Sequence, residues 1–179
     1  MHAETAEEFL IRPVVEGDIP TLVKYRTLMF RELGWRDEPR LTTVEPLFAT
    51  YLAEMLEAGG CSGFLAEQTS LDGPREAAGG VVLVWQRVPP SVRNLAGVQA
   101  YLLGMYVAPG YRRRGLARRL AQAALECAVA HGAPLITLHA SEFGRPLYEE
   151  LGFQASPEMR LFTELAAPPA WGEAEQNTD

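Results

Sequence analysis

Apolar residues along this chain recur at two periods. Runs with alternate or successive apolar positions predict strands, and apolar residues three and four apart predict helices. Residues 9–15 (FLIRPVV) read as a first strand, with Pro13 at an edge position or strand end. Ile19, Leu22, Val23, Met29, Phe30 and Leu33 then share one helical face, with Arg26 as its polar exception. Asp18 fits the N-cap of that helix, Pro20 its first turn and Gly34 its end. Residues 36–40 read as a charged loop broken by Pro39. A second helix follows over 43–58, with Leu47, Tyr51, Leu52 and Met55 on one side and Gly59-Gly60 stopping it. Residues 62–68 and 77–86 read as the arms of a hairpin whose turn carries Asp72-Gly73-Pro74. Gly79 and Gly80 mark a bulge in its second arm.

An irregular segment, RVPPSVRNLAG (87–97), leads into a strand over 98–107. Pro109-Gly110 turns the chain into a run of arginines. A helix opens at Gly115, with Leu116, Leu120, Ala123, Ala124, Cys127 and Ala128 along its apolar face. Gly132 and Pro134 end it, and residues 135–140 (LITLHA) form the next strand. A helix between two strands makes that pairing a parallel crossover. A short helix over 143–151 follows, with Pro146 in its first turn and Gly152 after its end. A last strand is predicted over 159–165. The order implies an α/β (α+β) fold with a mixed antiparallel and parallel sheet and helices on both faces. Residues 1–8 are expected to form a flexible N-terminus, 9–165 one domain, and 166–179 a disordered acidic tail.

Composition narrows the classes. The chain has 179 residues, 47% of them apolar, enough for a real core. A net charge of −7 disfavours a general nucleic-acid binder, which presents a basic face. Cys61 and Cys127 are far apart in apolar contexts and read as free thiols. No cysteine–histidine cluster suggests a metal. No apolar run is long enough to span a bilayer, and the acidic N-terminus is no signal peptide, so a cytoplasmic location without membrane partners is expected.

Five of the sixteen lysines and arginines fall between Arg112 and Arg119, at a helix start. A helix N-terminus carries unpaired N–H groups and partial positive charge, so cations there cost a few tenths to about 1 kcal/mol unless an anion offsets them. Gly115 lets a ligand approach the backbone. The segment lacks the Gly-Lys-Ser/Thr ending of a Walker loop and any GxGxxG. The residues alone point to an anion site holding a pyrophosphate-containing cofactor. The alternatives are a solvated basic helix start and a nucleic-acid-binding domain built on the arginines.

The stretch YLLGMYVAPGYRRRGLARRLAQAAL resembles the acyl-CoA-binding motif of the GNAT superfamily, the Gcn5-related N-acetyltransferases. Arg112, Gly115 and Ala117 fill the pattern Gln/Arg-x-x-Gly-x-Gly/Ala, with Val107 and Pro109 in its lead. SEFGRPLYEELGF resembles the family's second motif through Tyr148 and Leu151-Gly152-Phe153, and FLIRPVVEGDIPTL its usual opening. The resemblance covers roughly residues 9–165. It implies an N-acetyltransferase moving an acetyl group from acetyl-CoA, as co-substrate, to a primary amine on a small molecule or peptide, by direct attack. No metal is needed, and a homodimer is compatible with the family.

The resemblance also implies a gap between the strands at 98–107 and 135–140. Backbone groups of Met105, Tyr106 and Val107 would pair with the pantetheine arm. Arg112, Arg113, Arg114, Gly115, Leu116 and Ala117 would surround the pyrophosphate, and Ser141 would contact the cofactor or cap the following helix. A backbone N–H near Tyr106 or Val107 would face the carbonyl oxygen, and Tyr148 would be the general acid. Many relatives place a glutamate on the strand before the cofactor loop, but residues 98–107 hold no carboxylate. The base is left among His139, Glu32 and water. A non-catalytic acyl-CoA-binding regulatory module is the alternative reading. Substrate choice is expected in residues 29–35 and 87–97, with Tyr25, Trp35 and Trp85 as candidate pocket aromatics, although Trp85, lying in a strand, reads better as core packing.

Overall fold

Buried residues on the middle strands alternate between two faces of one sheet, and helices cover both. The computed structural model describes residues 9–69, 75–161 and 163. Its strands are β1 (Phe9–Pro13), β2 (Cys61–Gln68), β3 (Glu76–Arg87), β4 (Val98–Val107) and β5 (Ile136–Leu138). Its α-helices are α1 (Ile19–Glu32), α2 (Glu38–Glu57), α3 (Leu116–Ala130) and α4 (Arg145–Glu150). The strands form one five-stranded sheet in chain order, antiparallel from β1 to β4 and parallel between β4 and β5. The mixed α/β architecture expected from the sequence is therefore present.

On one face Val81, Leu83, Ala100 and Leu102 pack against Leu116, Leu120, Ala124 and Ala128 of α3. On the other, Leu65, Val82 and Val84 pack against Leu22 and Tyr25 of α1 and Phe48 and Leu52 of α2. Leu52, Leu65, Leu83, Leu116 and Leu120 are almost wholly buried, each worth about 2 kcal/mol of apolar transfer.

Several expectations change. Residues 38–40 are not loop: Asp37 caps α2 by accepting the Arg40 N–H at 3.0 Å. Pro39 fits the first turn, where no helical N–H is lost. The buried side of α2 is Leu41, Phe48 and Leu52, whereas Leu47 and Tyr51 are exposed, because α1 covers a different stripe from the one the periodicity suggested. On α3, Ala121 is fully buried and Ala123 and Cys127 only partly. Residues 159–161 are not in a strand, and 164–179 and 1–8 lie outside the described residues, as does the Asp72-Gly73-Pro74 turn. Both cysteines are free. Among the described residues no helix is long and apolar enough to cross a membrane.

Pairing slips beside the two glycines of β3, between Ala66 and Glu67 on β2 and between Gly80 and Val82 against β4. The second slip matters most. Gly80 pairs with Tyr106 and Val82 with Leu103, so Val81 faces two residues, Gly104 and Met105. Gly104 has φ +65°, a left-handed conformation that glycine adopts without a Cβ clash.

Candidate active site

The bulge decides what β4 can do on its other edge. β5 pairs with β4 only from Ala100–Ile136 to Leu102–Leu138. Among the described residues β4 is paired by β3 alone from Leu103 onward, leaving its far edge open beside Met105, Tyr106 and Val107. The gap expected between these strands is thus built by a bulge on one strand and an early end to the other. An isolated glycine inside a strand pattern was its available signal.

After β4 the chain makes a single turn at Pro109–Tyr111 and reaches the arginines. Arg113 has φ +64°, the one described non-glycine residue with positive φ, and Gly115 has φ +75°. Such conformations persist where surrounding structure holds them, and they cluster at ligand clamps. A Cβ on Gly115 would meet nothing within 4 Å, so the space above its backbone is open. The first helical hydrogen bond of α3 runs from Arg119 N–H to Gly115 O at 3.1 Å. The N–H groups of Leu116, Ala117 and Arg118 precede it and point out of the helix start. The Leu116 side chain is buried, so what this residue can offer a ligand is its backbone.

The arginines are less free than their spacing suggests. Arg112 Nη2 donates to both oxygens of Glu32 at 2.8 and 2.7 Å, and its Nε donates to Val107 O at 2.9 Å. Tyr106 Oη donates to the same Glu32 at 2.8 Å. Arg118 pairs with Glu150, linking α3 to α4, and Arg119 donates to Phe9 O at 3.1 Å. Arg114 lies over the Phe9 ring, 5.8 Å from its centroid. Part of the charge that argued for an external anion is therefore answered within the protein. What faces the open space is the backbone of residues 113–117, with Arg113 and Arg114 exposed beside it.

Tyr148 is buried in the apolar cluster that includes Leu102, with Met105 and Leu138 packed against it. Its ring meets Phe153 edge-on at 5.6 Å. Among the described residues its Oη has no hydrogen-bonding partner, and burial pushes its pKa up to about 12. Ser141 Oγ accepts the Gly144 N–H at 3.1 Å, and its carbonyl accepts from Gly144 and Arg145. It serves as a cap before α4, with its hydroxyl proton still available.

The base candidates separate. Glu32 is committed to Arg112 and Tyr106. His139, just past β5, has Nδ1 2.5 Å from Tyr101 Oη, with Glu158 3.9 Å from its Nε2. Ala100 and Leu102 face α3, so Tyr101 between them faces the α1–α2 side, where Leu103 also packs. The three aromatics expected to share a pocket do not. Tyr25 is buried against Tyr106 and donates to Ala77 O, whereas Trp85 stacks on His131 at 3.9 Å on the α3 face. Trp35 packs edge-on against Phe30. In the 87–97 loop, buried Asn94 donates to Val98 O and accepts from Gly97 N–H, fixing the entry to β4. Among the described residues no group of three or more His, Cys, Asp or Glu could hold a metal ion.

The sequence profile of the acetyltransferase (GNAT) family matches residues 27–153. No curated protein matches the chain. Among solved structures, a GCN5-related N-acetyltransferase from Ralstonia eutropha JMP134 superposes with a TM-score of 0.78 at 28% identity, over 87% of this chain and 98% of that one. A protein from Clostridium acetobutylicum described as a predicted acetyltransferase, with acetyl-CoA, gives 0.75 at 23% identity, over 87% and 96%. An aminoglycoside N-acetyltransferase in complex with CoA gives 0.66 at 18% identity, over 92% and 100%. The last two likenesses are of fold.

Proposed function

Because this chain belongs to the acetyltransferase (GNAT) family, we propose that it transfers an acetyl group from acetyl-CoA to a primary amine by direct attack in a ternary complex. The observation that carries this reading is the split between β4 and β5, with the bulge at Gly104–Met105 on one side and Tyr148 in the adjoining cluster. The residues present fit the co-substrate. The backbone edge at Met105, Tyr106 and Val107 has room for an extended amide-bearing chain, and the N–H groups of residues 113–117 suit a pyrophosphate. Ser141 has a hydroxyl proton to give it. When bound, acetyl-CoA supplies a thioester carbonyl that a neutral amine can attack.

The chain's own residues do the rest. A backbone N–H at the bulged end of β4 faces the charge that develops on the carbonyl oxygen. Tyr148 Oη holds its proton at neutral pH and presents it to the departing sulfur. A thiol has a pKa of about 8.5, so full transfer from a phenol near 12 is uphill. Tyr148 therefore contributes chiefly through a hydrogen bond that strengthens as charge forms on sulfur. The Tyr101–His139 pair, on the α1–α2 side of β4, takes the proton that the amine gives up.

The test is CoA release from acetyl-CoA by the purified protein with a panel of amines, alongside thermal melts with CoA. A ligand that binds only the folded state raises the melting temperature through mass action. The reading predicts both a rise with CoA and amine-dependent thiol release. A melting temperature unmoved by millimolar CoA overturns it. A rise with no release from any amine leaves the binding-module alternative standing instead.

A further inference from the structure

Arg26 lies on the stripe of α1 that the apolar periodicity assigned to the core. Its guanidinium carbon sits 4.9 Å from the Phe30 ring centroid and 4.5 Å from that of Phe48. Its Nε is buried without a hydrogen-bonding partner. Among the described residues no carboxylate pairs with it. Glu45, which lines the same small crevice between α1 and α2, accepts from Thr27 Oγ1 at 2.9 Å. Glu32, on the same helix, is held by Arg112 and Tyr106. The ionisable groups whose charges reach Arg26 are the phenols of Tyr51 and Tyr101, and burial lowers its pKa. Arg12 is the contrast: it holds Asp18 and Glu67 at 2.6 to 2.8 Å.

Packing alone gives no reason for an arginine here. Arg26 is half-buried with its Nε sealed from solvent, and an apolar side chain of similar volume would fill the position without stranding a donor. Contacts with two aromatic faces offset only part of the cost of that stranded donor. A guanidinium resting over two rings, with unspent donors, is a ready fork for a carboxylate. The crevice between α1 and α2 is about 10 Å³, room for one water, so a ligand cannot enter there. The guanidinium is reached from solvent instead, because Arg26 is only half-buried; Tyr101 of β4, three residues before Gly104, is among the groups that act on it.

We infer that Arg26 receives a carboxylate of the acceptor, so that the preferred substrates are amines that also carry a carboxylic acid group. The inference rests on the acetyltransferase reading above and names the substrate class of the same site. Arg26 is a specificity residue, remote from the reacting atoms.

The experiment compares acetylation of a series of ω-amino acids with that of their carboxamides, by wild type, Arg26→Met and Arg26→Lys. Wild type should favour the carboxylates by about 10- to 100-fold in kcat/KM, the range for a hydrogen-bonded charge. In Arg26→Met the two members of each pair should react alike, mainly through a higher KM for the acids. Arg26→Lys should keep part of the preference. The melting temperature of Arg26→Met should not fall, because methionine keeps the apolar contacts with the rings and removes the stranded Nε donor. Its rise with CoA reports that the variant is folded. A preference that survives in Arg26→Met, or a wild type that favours the amides, overturns the inference while leaving the transferase reading intact. Absence of transfer to every amine by a wild type that CoA stabilises overturns the transferase reading, and the inference with it.

Discussion

The two edges of the sheet are finished in opposite ways. At one edge β1 pairs with β2 along all five of its residues. Arg12 then binds Asp18 at the start of α1 and Glu67 on β2, so side-chain charge closes what backbone pairing began. At the other edge β5 pairs over three residues and leaves the end of β4 unaccompanied. Unpaired strand edges are a liability that proteins cover or charge. This chain secures the edge it needs for stability and leaves open the edge beside its helix start and its buried phenol.

The contrast can be broken most sharply at Tyr148. Tyr148→Phe should lower kcat by about 100-fold, the scale for losing one hydrogen-bond donor to charge that develops in the transition state. The melting temperature should hold, because the Oη has no protein partner among the described residues. Unchanged turnover with the best amine would remove Tyr148 from the chemistry.

The next effect belongs to the closed edge. Arg12→Met leaves poorly exposed Asp18 without its cation and Glu67 with Arg75 at 3.6 Å, and should cost about 2–3 kcal/mol at pH 7, read by denaturant unfolding. Hydrogen bonds from Arg12 hold both carboxyls below their ordinary values. Their stabilisation is therefore present above the unfolded carboxyl pKa of about 4 and is lost as pH falls through the lower folded values. The gap between wild type and Arg12→Met should be full at pH 7 and should narrow below about pH 4. Cofactor binding should persist, and its loss would mean that the two edges are coupled.

The smallest effect sharpens the open edge. Gly115→Val puts a β-branched residue at φ +75°, a strain of about 1–2 kcal/mol, into space where a Cβ touches nothing. CoA affinity, measured by calorimetry, should fall by about tenfold. An unchanged affinity would move the pyrophosphate away from this turn.

Local patterns carried much of this. The bounds of β4, the opening of α3 at Gly115, the hairpin and the parallel crossover all follow from residues adjacent in sequence, where period, turn chemistry and caps act within one or two turns of chain. The Asp37 cap is equally local: an aspartate two residues before a proline fits an N-cap with proline in the first turn, where proline breaks nothing. The buried face of α2 was not legible. Leu47 and Phe48 are neighbours of equal hydrophobic standing, and only the placement of α1 and the sheet buries one and exposes the other.

The sequence by itself determined most of the elements and their order, though not the start of α2 or the end of the chain past α4, and it determined the glycine-opened helix start. Tertiary structure decided how the charges were spent. Arg112 is 80 residues from Glu32, and Arg12 is 55 from Glu67. No periodicity relates such pairs. Arg26 likewise reads along the chain as a polar interruption of an apolar stripe. Its meaning emerges only when Phe48 closes over it and, among the described residues, no carboxylate does, because the worth of a charge depends on the solvent and partners that folding leaves it.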